Sequence, residues 1–326
     1  VGGERPTVQL VDVKKTKDGY EFGFDRLDRW IDMCKCCGIK YFEMSHLFTQ
    51  WGAEHAPKII AEVDGEEKRI FGWETDADSA EYCDFLRRFA AALTAFIDKK
   101  GIRNFCRFHV SDEPSLEQYE TYKKRADIIA EIFPGFKVID ALSDIEFFDK
   151  GAVKYPIPSE DHVEDFVGKV DEIWTYYCCG QHNKDVPNRF FAMPSARNRI
   201  LGALLYKYNA VGFLQWGYNF WYSQFSKHEI DPFTVTDAGK AFPSGDAFVV
   251  YPGENGQPLN SLRLKVFYDG LQDFAAMRLL ESLVGREKAL EIIVRDDEFS
   301  FLKYPHGSSY LIALRERVNQ AIKENI

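Results

Sequence analysis

Apolar and polar positions follow two rhythms along this chain, and they alternate for most of its length. "FDRLDRWIDMCKCCG" places Leu27, Trp30, Ile31 and Cys34 on one helical face, and Gly38 stops the run. "IKYFEMSH" then reads as a strand running into the loop "LFTQWG". "AEVDGEEKRIFGW" reads as a hairpin turning at Asp64–Gly65. "DADSAEYCDFLRRFAAALTAFIDKKG" is a long helix with Asp or Ser near its start and Gly101 after its end. "IRNFCRFHV" is a strand, "SLEQYETYKKRADIIAEIF" a helix capped by Ser115, and "FKVIDAL" a strand. Further on come a short helix "HVEDFVGKV", a strand "DEIWTYYC", an extended piece "FFAMP", a helix "SARNRILGALLYKYN" and a strand "AVGFLQWG". "GDAFVVYPG" reads as the last strand, and "SLRLKVFYDGLQDFAAMRLLESLVG" as a long helical region before a final helix near 308–323.

The strands are short apolar runs, as expected of strands buried on both faces. About seven or eight strand–helix units in one chain point to an α/β fold of the (β/α)8 TIM-like barrel type. No linker-like break interrupts the pattern. A single catalytic domain over residues 1–326 is expected, with a helical extension at about 284–326.

Composition narrows the partners. The chain has 326 residues, 45% hydrophobic and 28% charged, a globular balance. Its net charge of −10 argues against nucleic acid, since phosphate binding needs a positive surface. Aromatics reach 15%, enough to fill a large core or to stack on the C–H faces of sugars. The seven cysteines are odd in number and include the vicinal pairs Cys36–Cys37 and Cys178–Cys179, so a reducing, cytoplasmic compartment is expected rather than a disulfide framework. "CKCC" lies within a helical pattern and lacks a second pair at finger spacing, so no metal site is expected there. No stretch is long and apolar enough to span a bilayer, and no signal peptide is visible. The chain begins at Val1 rather than Met, which fits trimming at the front.

A barrel gathers its chemistry where strands end. Those ends carry Ser45–His46, Ser111–Asp112–Glu113, Asp140 to Asp144, Tyr176–Tyr177–Cys178 and Trp216–Gly217–Tyr218–Asn219. "FHVSDEPS" is the most pointed of them. Adjacent acids ahead of a helix are often no more than favourable partners for its dipole. That explanation leaves open why the pair follows His109 on a buried strand. Most glycosidases place two carboxylates on opposite sides of the bond, about 5–5.5 Å apart in retaining enzymes and further in inverting ones. Adjacent residues fit substrate-assisted cleavage better. There the sugar's 2-acetamido oxygen attacks the anomeric carbon, and the protein supplies one proton donor and one orienting anion. Repulsion between close carboxylates helps to keep one protonated. Glu113 is therefore expected to be the general acid/base and Asp112 the orienting anion. Both must turn toward one pocket, so regular strand alternation should break by Ser111.

Trp216 suits the floor of a sugar subsite, with Asn219 and Trp221 beside it; Trp221 fits barrel core equally well. Tyr176 and Tyr177 alternate in direction, so one of the two should face the site and hydrogen-bond the acetamido carbonyl. His46, His109 and Trp51 are candidates for binding sugar, each balanced against a structural role. Arg197 and Arg199 are expected to pair with acidic residues of the rim, and Asp269–Gly270 to serve helix packing. No HxH or HExxH spacing clamps a metal, and no cofactor is implied.

"FHVSDEPS" resembles the catalytic stretch of glycoside hydrolase family 123, the β-N-acetylgalactosaminidases. "WTYYCC", "PNRFFAMPSARNRILGALLYKYNAVGFLQWGYNFW", "GDAFVVYPG" and "SLRLKVFYDGLQDFAAMRLL" extend the resemblance from about "LFTQWG" to near Leu283. It implies a retaining exo-enzyme with the substrate-assisted mechanism, Asp112 and Glu113 in the two roles, and a glycan or glycoconjugate as substrate. Many members also carry an N-terminal β-sandwich. This chain has no room for one, so a barrel-only or trimmed member is expected. The alternatives are a non-catalytic glycan-binding barrel and a glycosidase for another β-linked sugar.

Overall fold

The computed structural model describes residues 8–295 and 299–326. It is a mixed α/β fold whose chain divides into two compact units, 1–156 with 225–227, and 157–224 with 228–326.

The first unit opens with a hairpin absent from the expected elements, β1 (Asp12–Thr16) and β2 (Gly19–Gly23). Its Asp18–Gly19 step is an ordinary hairpin signal, with Gly19 at φ 136°. After α1 (Asp25–Cys36) and the two-residue strand β3 (Phe42–Glu43) come β4 (Ile59–Val63) and β5 (Glu66–Phe71). These two form the expected antiparallel hairpin, with Asp64 and Gly65 both at positive φ. β4 also pairs parallel to β1, giving a mixed four-stranded sheet of order β2-β1-β4-β5.

Next is α2 (Ala80–Lys100). Ser79 caps it by accepting from the Tyr82 N–H, and Gly101 ends it in the left-handed conformation that glycine takes without steric cost. Tyr82, Phe85, Leu86, Ala90, Leu93 and Ile97 line its buried face. Each fully buried large side chain there is worth about 1.5–3 kcal/mol of apolar transfer. β6 (Cys106–Phe108), α3 (Tyr119–Ile132) and β7 (Lys137–Ala141) follow. β3, β6 and β7 run parallel, in a sheet of order β3-β6-β7-β8 whose last strand is β8 (Tyr155–Ile157), reached through the short α4 (Glu146–Asp149).

The second unit begins with α5 (Val163–Phe166) and β9 (Trp174–Tyr177). α6 (Ala196–Arg199) and α7 (Leu201–Lys207) lead to β10 (Gly212–Gln215), parallel to β9. "FFAMP" forms no strand. Val250, expected in a final barrel strand, lies in β11 (Val250–Pro252), which folds antiparallel onto β12 (Pro258–Asn260). The reason is the turn between them: Asn255 and Gly256 take positive φ, and the Gly253 N–H bonds the Gln257 carbonyl at 2.8 Å.

α8 (Leu262–Val284), capped by Ser261, then crosses α7 so closely that a Cβ on Gly202 would lie 1.8 Å from the Gly270 carbonyl oxygen. Gly270 does serve helix packing, and Gly202→Ala would force the two helices apart. α9 (Arg286–Ile293) and α10 (Ser308–Glu324) complete the second core, in which Leu204, Leu280, Ile293 and Val318 are fully buried. Residues 296–298 of the expected extension lie outside the described residues. The described strands form small sheets, and no closed barrel is found among the described residues.

Candidate active site

In the first unit β6 ends at Phe108, and the three residues that follow, His109, Val110 and Ser111, are buried like the strand itself. Ser111 Oγ donates to the Thr49 carbonyl at 2.7 Å. Asp112 is half-buried, and its Oδ2 accepts from Gln50 Nε2 at 2.5 Å. Its carbonyl accepts from the Trp51 N–H at 3.2 Å. Glu113 is exposed, and its N–H bonds the Ala141 carbonyl at 2.9 Å. The loop from Thr49 to Trp51 is thus laced onto Ser111 and Asp112 by three hydrogen bonds.

Glu113 sits at φ 45° and Trp51 at φ 55°. A left-handed non-glycine residue costs on the order of 1–3 kcal/mol and persists only where its surroundings impose it. Ser115 forms a capping box with Gln118, whose Nε2 also donates to the Trp51 carbonyl at 2.6 Å. The expected helix therefore starts at its predicted cap. Trp51 is exposed and meets Trp73 edge-on, with ring centroids 6.4 Å apart.

His109 stands between two carboxylates, with Nδ1 3.2 Å from Asp140 Oδ1 and Nε2 2.9 Å from Glu43 Oε1. Burial alone would lower its pKa, but the hydrogen bonds and charges of Asp140 and Glu43 outweigh burial and raise it to about 10. His109 is therefore an imidazolium at neutral pH, with Nδ1 hydrogen-bonded to Asp140 and Nε2 in ion-pair contact with Glu43 but without a well-aligned hydrogen bond. Asp140 is fully buried and also accepts from the Val110 N–H at 3.1 and 3.2 Å and from the Tyr122 hydroxyl. Burial tends to raise the Glu43 carboxyl, and His109, aided by His46, holds it below the usual range. His46 is half-buried, and its Nδ1 donates to the Phe48 carbonyl at 2.6 Å. Burial lowers its pKa, against the opposing charge of Asp112.

The second unit holds the remaining candidates. Tyr176 and Tyr177 are both buried, and Tyr177 belongs to the apolar core with Leu204 and Val163. Alternation then directs Tyr176 to the opposite face of β9. The Arg189 guanidinium lies over the Tyr177 ring, 4.6 Å from its centroid, and forms a fully buried ion pair with Asp246 at 3.1 Å. Arg189 also donates to the carbonyls of Trp216 at 3.0 Å and Asp246 at 2.6 Å. Burial pushes the Asp246 carboxyl up, and Arg189 opposes the shift.

Trp216 is half-buried against Phe220 and Phe242. Asn219 is exposed, in an isolated antiparallel bridge to Phe248. Trp221 donates its indole N–H to the Val250 carbonyl at 3.1 Å, a structural bond. Arg197 pairs with Asp185 and Arg199 with Asp273, acids outside the expected strand-end set. Glu160 is buried with both carboxyl oxygens lacking a hydrogen-bond partner. Burial first, then the charge of Asp161, raises its pKa well above 4.5.

The site residues missed in the sequence are Gln50, Glu43 and Arg189. A signal existed for Glu43 and Arg189, as single charges inside the apolar runs "YFEM" and "NRFF". Gln50 carried none.

The sequence matches the family described as "Glycoside hydrolase 123, catalytic domain" over residues 1–280. The chain belongs to that family. No curated protein matches. Among solved structures it is similar to a chain described as "The details of glycolipid glycan hydrolysis by the structural analysis of a family 123 glycoside hydrolase from Clostridium perfringens", at 16% identity and a TM-score of 0.65. The match covers 97% of this chain and 58% of that one, so this chain spans little more than half the length of its structural relative.

Proposed function

We propose that this chain is the catalytic part of a retaining exo-β-N-acetylgalactosaminidase that uses the substrate's own 2-acetamido group. The observation that carries the reading is the arrangement at Asp112–Glu113. Asp112 is half-buried and fixed by Gln50, while its neighbour Glu113 is presented at an exposed left-handed turn. One acid is thus oriented and the other is accessible.

Glu113, as the carboxylic acid, gives its proton to the glycosidic oxygen as the C1–O bond breaks. The acetamido carbonyl oxygen bonds C1 from the opposite face, and Asp112 accepts the acetamido N–H. Glu113, now a carboxylate, takes a proton from the water that attacks C1, which opens the cyclic intermediate with net retention. In the first unit His46 and Trp51 are the proposed substrate-binding residues, with His109 behind them; in the second unit Tyr176, Trp216 and Asn219 are candidates in their own right, while Tyr177 packs in the core and Trp221 bonds the Val250 carbonyl, and no metal or cofactor is proposed. Family membership and the parallel strands β3-β6-β7 and β9-β10 support a single (β/α)8-type catalytic domain as the finer architecture. The glycolipid glycan hydrolysis named for the Clostridium perfringens structure supports a glycoconjugate substrate.

Glu113→Gln should lower turnover of an unactivated β-N-acetylgalactosaminide by roughly 10²–10⁴-fold while keeping binding. A chromogenic pair of β-N-acetylgalactosaminide and β-N-acetylglucosaminide, assayed with a thiazoline that mimics the cyclised intermediate, tests the mechanism. Inhibition is expected, together with preference for the galacto sugar. An unchanged rate in the variant removes the assignment of Glu113. Turnover without thiazoline inhibition removes the substrate-assisted step, and no turnover of either sugar leaves a glycan-binding module.

A further inference from the structure

The Glu43–His109–Asp140 row is not used by the mechanism above. Its charges do not balance at the exposed end. Asp140 and His109 already form a buried pair, and Asp140 is saturated by the Val110 N–H, the Tyr122 hydroxyl and the imidazolium. Glu43 is a second carboxylate on the same cation. Its side chain is 52% exposed, and it sits at the end of β3, where strand and loop meet. Glu43 helps to hold the buried imidazolium and at the same time presents part of its carboxylate to solvent.

Its surroundings are those of the acids. The charge of Asp112 acts on His46, and His46 and His109 both act on Glu43. One cluster therefore holds Glu43, His46, His109 and Asp112. Only Oε1 of Glu43 is tied, to His109. Among the described residues no other donor bonds the carboxylate, so Oε2 can accept.

We infer that Glu43 is a sugar-binding residue, whose carboxylate, anchored through His109 to Asp140, accepts a hydroxyl of the sugar that Asp112 and Glu113 act on. The inference rests on the hydrolase reading. An ionised acceptor binds a hydroxyl more strongly than a neutral one. It also repels a ligand bearing a carboxylate or sulfate at that position. The ligand class is thus a neutral pyranose with a free hydroxyl facing β3. His109 acts through Glu43 as a positioning residue.

The test compares the whole chain with Glu43→Gln, which keeps the shape and loses the charge. Calorimetric affinity for N-acetylgalactosamine should fall roughly 10- to 100-fold, the size of a hydrogen bond to a charged group, and KM should rise more than kcat falls. Single-deoxy derivatives identify the partner. One of them should bind the wild type and the variant equally, because the bond it lacks is the bond the variant has weakened. An unchanged melting temperature separates this from a folding defect.

Wild-type affinity in Glu43→Gln overturns the inference, as does an equal loss for every deoxy sugar. If glycosides are hydrolysed and the variant binds normally, this inference alone falls. If the wild type neither binds nor cleaves the sugar, the hydrolase reading falls with it.

Discussion

Each compact unit buries a cation, and the two arrangements differ in who neutralises it. In the first unit His109 lies between Asp140 and Glu43, and its cationic form exists because those two acids outweigh the burial that would discharge it. In the second unit the cation is the fully buried Arg189, paired with Asp246. It spends its donors on Asp246, on the Asn188 side chain and on two backbone carbonyls. The first arrangement keeps a half-exposed carboxylate, Glu43, at the end of its row. The second consumes its charge internally and fixes the backbone at Trp216. A nearby acid, Glu160, has no hydrogen-bond donor among the described residues, and burial raises its carboxyl well above the usual range. Buried charge is tolerated where partners converge on it and is discharged where they do not.

The largest effect expected from breaking this contrast is Arg189→Met. It strands the buried Asp246 carboxylate and two carbonyls, and should cost about 3–5 kcal/mol in urea denaturation. Asp246→Leu added to it should restore part of that loss. A loss below about 1 kcal/mol for the single variant would show that Arg189 does not hold the unit together.

Gln50→Ala addresses the other unit without touching its core. Gln50 positions Asp112, so kcat should fall roughly tenfold with KM little changed and the melting temperature preserved. An equal loss for substrates with and without the acetamido group would separate Gln50 from the acetamido-orienting role proposed for Asp112.

The smallest effect is the one that tests the neutral acid. Glu160 has a folded pKa above 4.5, so the stability it contributes is complete below that pH and is lost as the pH rises toward its folded value. Glu160→Gln does not titrate. Its melting temperature should exceed that of the wild type by a margin that widens from about pH 4.5 upward, and parallel melting curves from pH 4 to 8 would show that Glu160 is ionised in the fold.

Much of the local structure was legible because its causes are local. Ser79, Ser115 and Gly101 sit at helix ends for capping reasons that two or three neighbours decide. Asp64–Gly65 turns because both residues accept positive φ. The end of β6 at Phe108 puts Asp112 and Glu113 in the loop that follows the strand, as their place in "FHVSDEPS" suggested. The barrel strand expected at Val250 is a hairpin because Asn255 and Gly256 reverse the chain, a turn obscured by the apolar run before it.

The chain's own order of residues determined its family, its adjacent acids and the positions of most helices. These depend on spacing, on turn residues and on a run of motifs that needs no partner. Only the tertiary structure decided that His109 is a cation, that Gln50 holds Asp112, that Tyr177 faces the core and that Glu160 is neutral. Each of those is set by groups distant along the chain, whose meeting fixes how much water and how much opposing charge a side chain meets.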